Sequence, residues 1–237
     1  MYSEFSEESV KNVVSKMIAE RKKKAKDVEN LHVSVSYGNS KTGVLVPSVS
    51  LIPVADCCSN CKCCKAGCYD VRHDCIYPTV QKSRANNSAL LHGDPDRYFC
   101  EISKICHALR FFRWHVGGDI INSDYFRGML SVARANKNCE FLVFTKNYDV
   151  VNSYVDNGGA IPENMHIIFS DWRGAEIDNK YNFPLSSPRW TTADGVEYGP
   201  NVTGIKKECG GNCSACAVEC GGCWSLQPGE TIIFDAH

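Results

Sequence analysis

An α/β fold built on a parallel sheet is predicted by three features of the chain. First, the strand-like runs FFRWHV (111–116), EFLVFT (140–145) and MHIIFS (165–170) are separated by helical segments, and parallel neighbours need such crossovers. Second, each run ends in polar residues: Gly117-Gly118-Asp119, Thr145-Lys146-Asn147 and Ser170-Asp171. The carboxyl edge of a parallel sheet is where such folds bind ligands. Third, 237 residues with 43% hydrophobic and 22% charged side chains can close a sizeable core, which excludes a disordered chain.

In chain order, residues 7–25 read as an amphipathic helix. Ser6 is its cap, Phe5 and Val10 form a hydrophobic staple, and Val10, Val13, Val14, Met17 and Ile18 make the apolar face. The run RKKKAK (21–26) closes it, either as a solvated end that complements the helix dipole or as a contact for nucleic acid or another anion. The net charge of −1 adds no argument for nucleic acid. Residues 32–55 alternate like short strands around a turn at NSKTG (39–43), with Pro47 and Pro53 limiting their length. From 94 to 110 a helix is expected, capped by Asp94 and started by Pro95. Ser123 is expected to cap a helix running to about Asn136, and Gly158-Gly159 to stop another that begins near Tyr148. Residues 171–208 have weak periodicity and three prolines, and read as irregular. TIIF (231–234) is a short last strand.

The cysteines carry the functional signal. Of 15, seven lie at positions 57, 58, 61, 63, 64, 68 and 75, and five at 209, 213, 216, 220 and 223. A disulfide scaffold would be short and secreted, and its cysteine count even. Here the count is odd, the chain is long, and its start lacks the basic and apolar regions of a secretion signal. Reduced thiols at two- and three-residue gaps, in a protein expected in the cytoplasm, are ligands for soft metals. Cys57-x3-Cys61-x2-Cys64 is one arrangement, and Cys58, Cys63 and Cys68 offer others. Three thiolates can hold a cubane and leave one iron open, whereas four give a closed cluster or a structural zinc site. In the second set, Cys209, Cys213, Cys216 and Cys223 are preferred over Cys220. Glycines at 210, 211, 221 and 222 leave backbone N–H groups free to face sulfur. Between the two sets lie Cys100, Cys106 and Cys139, of which Cys100 and Cys106 read as small core residues. No run is apolar for the roughly 18–20 residues that a membrane span requires.

At the strand ends, Gly117 and Gly118 allow close backbone approach, Asp119 can accept a hydrogen bond from an ammonium group, and Thr145 lies at the equivalent edge of the next strand. His115 is expected on the opposite side of its strand from Trp114, as a pocket residue or a satisfied core histidine.

These motifs together resemble the radical S-adenosylmethionine superfamily. CCSNCKCCKAGC contains its Cys-x3-Cys-x2-Cys as Cys57, Cys61 and Cys64; FRWHVGGDI is similar to its second strand and Gly-Gly-Glu turn, with Asp119 for the glutamate; LVFTKN is similar to its third strand. The same motifs with CGGCW and IIFDAH also resemble a group of phage-encoded proteins, over residues 48–237. The superfamily resemblance implies a partial (β/α) barrel over 31–205, following an N-terminal helix over 1–30 and followed by a cysteine-rich iron–sulfur module over 206–237. It implies a [4Fe-4S] cluster on Cys57, Cys61 and Cys64, S-adenosylmethionine held at Gly117, Gly118, Asp119 and Thr145, and catalysis at Asp119 and His115. It also implies an auxiliary cluster on the 209–223 set and a reductant protein as partner. The competing reading is a non-catalytic zinc- or cluster-stabilised module that binds nucleic acid or a host protein.

Overall fold

The computed structural model describes residues 6–38, 42–64, 68–192, 194–202 and 204–235, with residues 62–64 described by their backbone alone. The expectations placed on Phe5, on most of the turn at 39–43 and on the side chains of Cys63 and Cys64 lie outside the described residues.

The chain opens on helix α1 (Glu7–Lys24), capped as expected by Ser6, whose hydroxyl accepts from the Ser9 N–H at 3.2 Å. Short strands β1 (Val35–Ser36) and β2 (Ser48–Val49) follow, then helices α2 (Tyr69–His73), α3 (Pro78–Gly93) and α4 (Pro95–Cys106). A regular alternation comes next: β3 (Phe111–Trp114), α5 (Ser123–Ala135), β4 (Glu140–Thr145), α6 (Tyr148–Asp156) and β5 (Met165–Ser170). Asp94 caps α4 as expected, whereas α5 is capped by Asn122 rather than Ser123. The region read as irregular instead contains β6 (Leu185–Thr192), β7 (Gly195–Tyr198) and β8 (Lys206–Glu208). Pro188 within β6 and its polar neighbours hid that strand. The chain ends in α7 (Cys213–Val218) and β9 (Thr231–Asp235).

The nine strands of the described residues join one mixed sheet in the order β1-β2-β3-β4-β5-β6-β9-β8, with β7 pairing β6. Every pair from β2 to β8 along that order is parallel; β1 on β2 and β7 on β6 are antiparallel. The edges β1 and β8 do not pair among the described residues, so the sheet is open and does not close into a barrel.

Alternation along the strands splits the core in two. Phe112, Trp114, Phe141, Val143, Ile167 and Phe169 pack against α3, α4, α5 and α6, through Leu90, Tyr98, Ile102, Phe126 and Leu130. Phe111, Leu142 and Ile168 face the other way and are covered by Ala217, Trp224 and Leu226 of the cysteine-rich segment. That segment is therefore the second layer over the sheet. Trp224 anchors it, 5.0 Å from the Phe111 ring and with its indole N–H on the Cys213 carbonyl at 3.4 Å. A third cluster joins α1 to α2 and α3 through Val14, Met17, Val71 and Ala85. No helix among the described residues is long and apolar enough to cross a membrane.

Candidate metal centre

The loop that carries the first cysteines leaves β2 and is braced by a buried carboxylate. Asp56 accepts from the Ile52 N–H at 3.0 Å, is 2.9 Å from His92 Nε2 and accepts from Arg21 Nη1 at 3.3 Å. Arg21 also donates to Ser88 at 3.2 Å, so one residue of the basic run ties α1 to α3 and to the cysteine loop. The Asp119 N–H donates to the Asp56 carbonyl at 3.0 Å, joining that loop to the end of β3. Asn60 donates to the Lys146 carbonyl at 2.9 Å, joining it to β4 as well.

These ties bring Cys58, Cys61 and Asp119 together. The two sulfurs are 3.5 Å apart and lie 3.6 and 3.5 Å from Asp119 Oδ2. All three residues are buried, and each offers one ligand atom within 4.8 Å of the others. Cys57 completes the thiol group: its sulfur accepts from the Val54 N–H at 3.2 Å. Hydrogen bonding to Cys61, burial and the charges of Cys61 and Asp119 hold its thiol well above the ordinary range. A metal cation reverses that cost, because thiols release their protons on binding one. The Asp119 carboxylate is fixed by the Thr145 hydroxyl at 2.6 Å and by the N–H groups of Ile120 and Lys146 at 2.7 and 3.0 Å. Asp119 and Thr145, which the sequence placed at adjacent strand ends, are thus in direct contact.

Gly118 has a φ of +90°, and a Cβ there would meet Leu51 Cβ at 2.9 Å. Gly117 backs onto a second buried network that the sequence did not reveal, in which Arg84 donates to Asp70 and to the Cys75 sulfur, the latter at 3.0 Å. Burial lowers the Arg84 pKa to about 10, leaving it cationic near neutrality. Cys68 heads α2 and interacts electrostatically with Cys75 and Arg84. The first cysteine set is therefore divided, with 57, 58 and 61 at Asp119 and 68 and 75 at Asp70–Arg84.

His115 does not face away from Trp114. Its φ of +61° breaks the alternation and turns the ring into the helix-facing core, 2.7 Å from the Tyr125 hydroxyl and 6.2 Å from the Trp114 ring. Burial lowers its pKa from 6.5 to about 4. The unfolded chain then binds a proton that the folded chain refuses between those values. This stability is complete above about pH 6.5 and is lost as pH falls toward 4, by about 3 kcal/mol in total. Urea titrations from pH 7 to 4 are expected to show this slope in the wild type. It should be missing in His115→Asn, which tolerates the positive φ.

The C-terminal thiols form a looser group. Cys213 and Cys216 lie in or beside the first turn of α7, and Cys223 in the 3-10 turn before Trp224. Burial first, then the charges of Cys209, Cys213 and Cys216, raise the Cys223 thiol; Cys216 is raised by burial and by Cys209 and Cys213. Cys220 sits exposed with a φ of +49°. No three of the five place their sulfurs within 4.8 Å of one another.

The two expected core cysteines divide as well: Cys106 is buried, whereas Cys100 is exposed; Cys139 is also buried. A family model described as Gene product 88, a phage gene-product family, matches residues 12–225. No curated protein and no solved structure matches the chain.

Proposed function

The chain belongs to the Gene product 88 family, and from that premise we propose that it is an iron–sulfur protein whose principal centre sits at the carboxyl edge of its sheet. The observation that carries this reading is the buried meeting of Cys58 and Cys61 with Asp119, from segments some 60 residues apart. Cys57 beside them makes the site thiol-rich, and Cys64 lies one turn onward in the same loop. A loop that crosses the end of a parallel strand is the place for such a centre, and a cluster there would draw on Cys57 and Cys64 beside the Cys58–Cys61–Asp119 group. When bound, the cluster supplies one-electron chemistry. The protein's own part is to exclude water, to hold the thiols close and to fix the carboxylate through Thr145, Ile120 and Lys146. The 209–223 thiols are the second cluster site of this reading.

The superfamily resemblance extends to S-adenosylmethionine, whose ammonium group needs an open acceptor. Both Asp119 oxygens are already engaged by protein donors, and the remaining side of Oδ2 faces the two sulfurs. The residues as placed fit a metal and do not fit the ammonium group, so no step through S-adenosylmethionine is derived.

One observation favours a second reading. Tetrahedral zinc with 2.3 Å bonds separates its sulfurs by about 3.8 Å, close to the 3.5 Å between Cys58 and Cys61. Iron, acid-labile sulfide and zinc analysis of anaerobically purified protein separates the two readings. Iron and sulfide in equal amounts support the cluster, and stoichiometric zinc without sulfide supports the alternative. Cys58→Ser and Cys61→Ser are each expected to remove the metal of this centre and leave that of the C-terminal set. Release of 5'-deoxyadenosine from S-adenosylmethionine under reduction would overturn the assignment of Asp119 to the metal alone.

A further inference from the structure

Arg113 lies on β3 and faces the cysteine-rich layer. Its Nη1 donates to the Cys213 sulfur at 3.5 Å, and its guanidinium carbon lies 4.9 Å from the centre of the Phe144 ring. Its Nε is buried without an acceptor, and among the described residues its guanidinium meets a thiol and an aromatic ring and forms no ion pair with a carboxylate. A half-buried guanidinium without a counter-ion is costly. Among the described residues, the layer above it meets the guanidinium through the Cys213 thiol rather than through a carboxylate. That arrangement is explained if the thiols are the acid, deprotonated around a metal core and leaving the centre anionic. Local backbone agrees: Gly222 has a φ of +57°, and a Cβ there would meet the Cys216 sulfur at 2.7 Å, so glycine is needed where the chain passes this ligand.

We infer that Cys209, Cys213, Cys216 and Cys223 hold an anionic iron–sulfur cluster, with Cys220 outside the ligand set, and that Arg113 is the positioning residue whose charge and N–H···S bond raise its reduction potential. This rests on the iron–sulfur reading above. The spacing supports a polynuclear core, since sulfurs around one zinc would lie about 3.8 Å apart and no three of these thiols meet within 4.8 Å. Reduction adds negative charge to the centre, and a fixed cation beside a ligand sulfur favours the reduced form.

The test uses the full chain carrying Cys58→Ser and Cys61→Ser, so that only the C-terminal centre is read. Iron, sulfide and zinc are measured per chain, and the midpoint potential is followed by EPR during redox titration. Arg113→Gln is expected to keep its iron while the one-electron equilibrium shifts at least tenfold toward the oxidised form, a fall of 59 mV. Arg113→Lys, which keeps the charge, is expected to shift by less than that. Cys220→Ser is expected to change neither iron content nor potential. An iron-loaded Arg113→Gln with the parent potential overturns the role of Arg113, and loss of iron in Cys220→Ser overturns the ligand set. If Arg113→Gln loses the cluster, Arg113→Lys decides: retention supports the counter-charge, and loss overturns it. A zinc-loaded, sulfide-free parent sinks the iron–sulfur reading itself, which is a different result from an iron-loaded protein whose potential does not move.

Discussion

Asp119→Ala is expected to empty the principal metal centre and to destabilise the fold by about 3–5 kcal/mol. The carboxylate does two jobs that alanine cannot. It accepts from the Thr145 hydroxyl and the N–H groups of Ile120 and Lys146, all at the buried strand edge, and each donor left unpaired costs about 1–3 kcal/mol. It also supplies the only oxygen among the three ligand atoms that meet there. Asp119→Asn separates the two effects. The amide keeps one acceptor oxygen but turns an NH2 toward either Thr145 or the thiols, so it should cost less stability, about 1–2 kcal/mol. Its metal content should still fall at least tenfold. Metal analysis beside urea unfolding reads both quantities. An asparagine variant with full metal would remove Asp119 from the ligand set while leaving its structural role intact.

The elements that were legible in the sequence are those whose apolar residues keep one period. α1, α4, β4 and β5 are bounded within a few residues by caps, prolines and glycines, and α1 buries Val10, Val14 and Met17 of its predicted face. α3 was missed because the face it buries is mixed: Arg84, Asn87 and Ser88 are inside together with Ala85, Ala89, Leu90 and Leu91, which blurs the apolar period. Asn87 there bonds the carbonyls of Ser34 and Ser50 and the N–H of Ser34, serving the irregular run before and after the short β1–β2 pair. β6 was missed for the related reason that Ser186 and Ser187 are buried, the latter donating to Asp171 at 2.7 Å. A hydrophobic pattern cannot register a polar core. The same limit applied at the site. Spacing nominated Cys57, Cys61 and Cys64 or shifted sets, but the choice depends on which sulfurs reach Asp119, and that is set by the bond the Asp56 carbonyl accepts from the Asp119 N–H and the one Asn60 donates to Lys146, which no spacing encodes. At His115, a single left-handed residue reversed the side expected from strand alternation.

Gly117→Ala is the second substitution with a large expected effect, for a reason unrelated to backbone freedom. Gly117 is absent from the left-handed positions, so alanine suits its φ. The added methyl, however, would stand 2.2 Å from Asp70 Oδ2 and 2.4 Å from Arg84 Nη1, inside a pair exposed by only 2% and 4%. Arg84 is also held by the Cys75 sulfur, and Tyr69 beside Asp70 ties that turn to the Val116 carbonyl at 2.9 Å. Forcing a buried ion pair apart leaves two uncompensated charges, and a loss of about 3–5 kcal/mol is expected in urea unfolding. Gly158→Ala is the contrasting case. Its φ is +77° but nothing lies within 4 Å of the new methyl, so the cost should be confined to the left-handed backbone, about 1–2 kcal/mol. If the clash is the cause, Gly117→Ala should cost much less in an Asp70→Ala background than in the wild type, a coupling that a double-mutant cycle measures. Because Gly118 and Asp119 follow directly, any movement that relieves the clash also shifts the carboxylate from Cys58 and Cys61, where 3.5–3.6 Å is already the contact distance. Metal content should therefore fall together with stability in Gly117→Ala and stay unchanged in Gly158→Ala; equal metal in both would show that the Asp70–Arg84 pair supports the fold without setting the geometry of the centre.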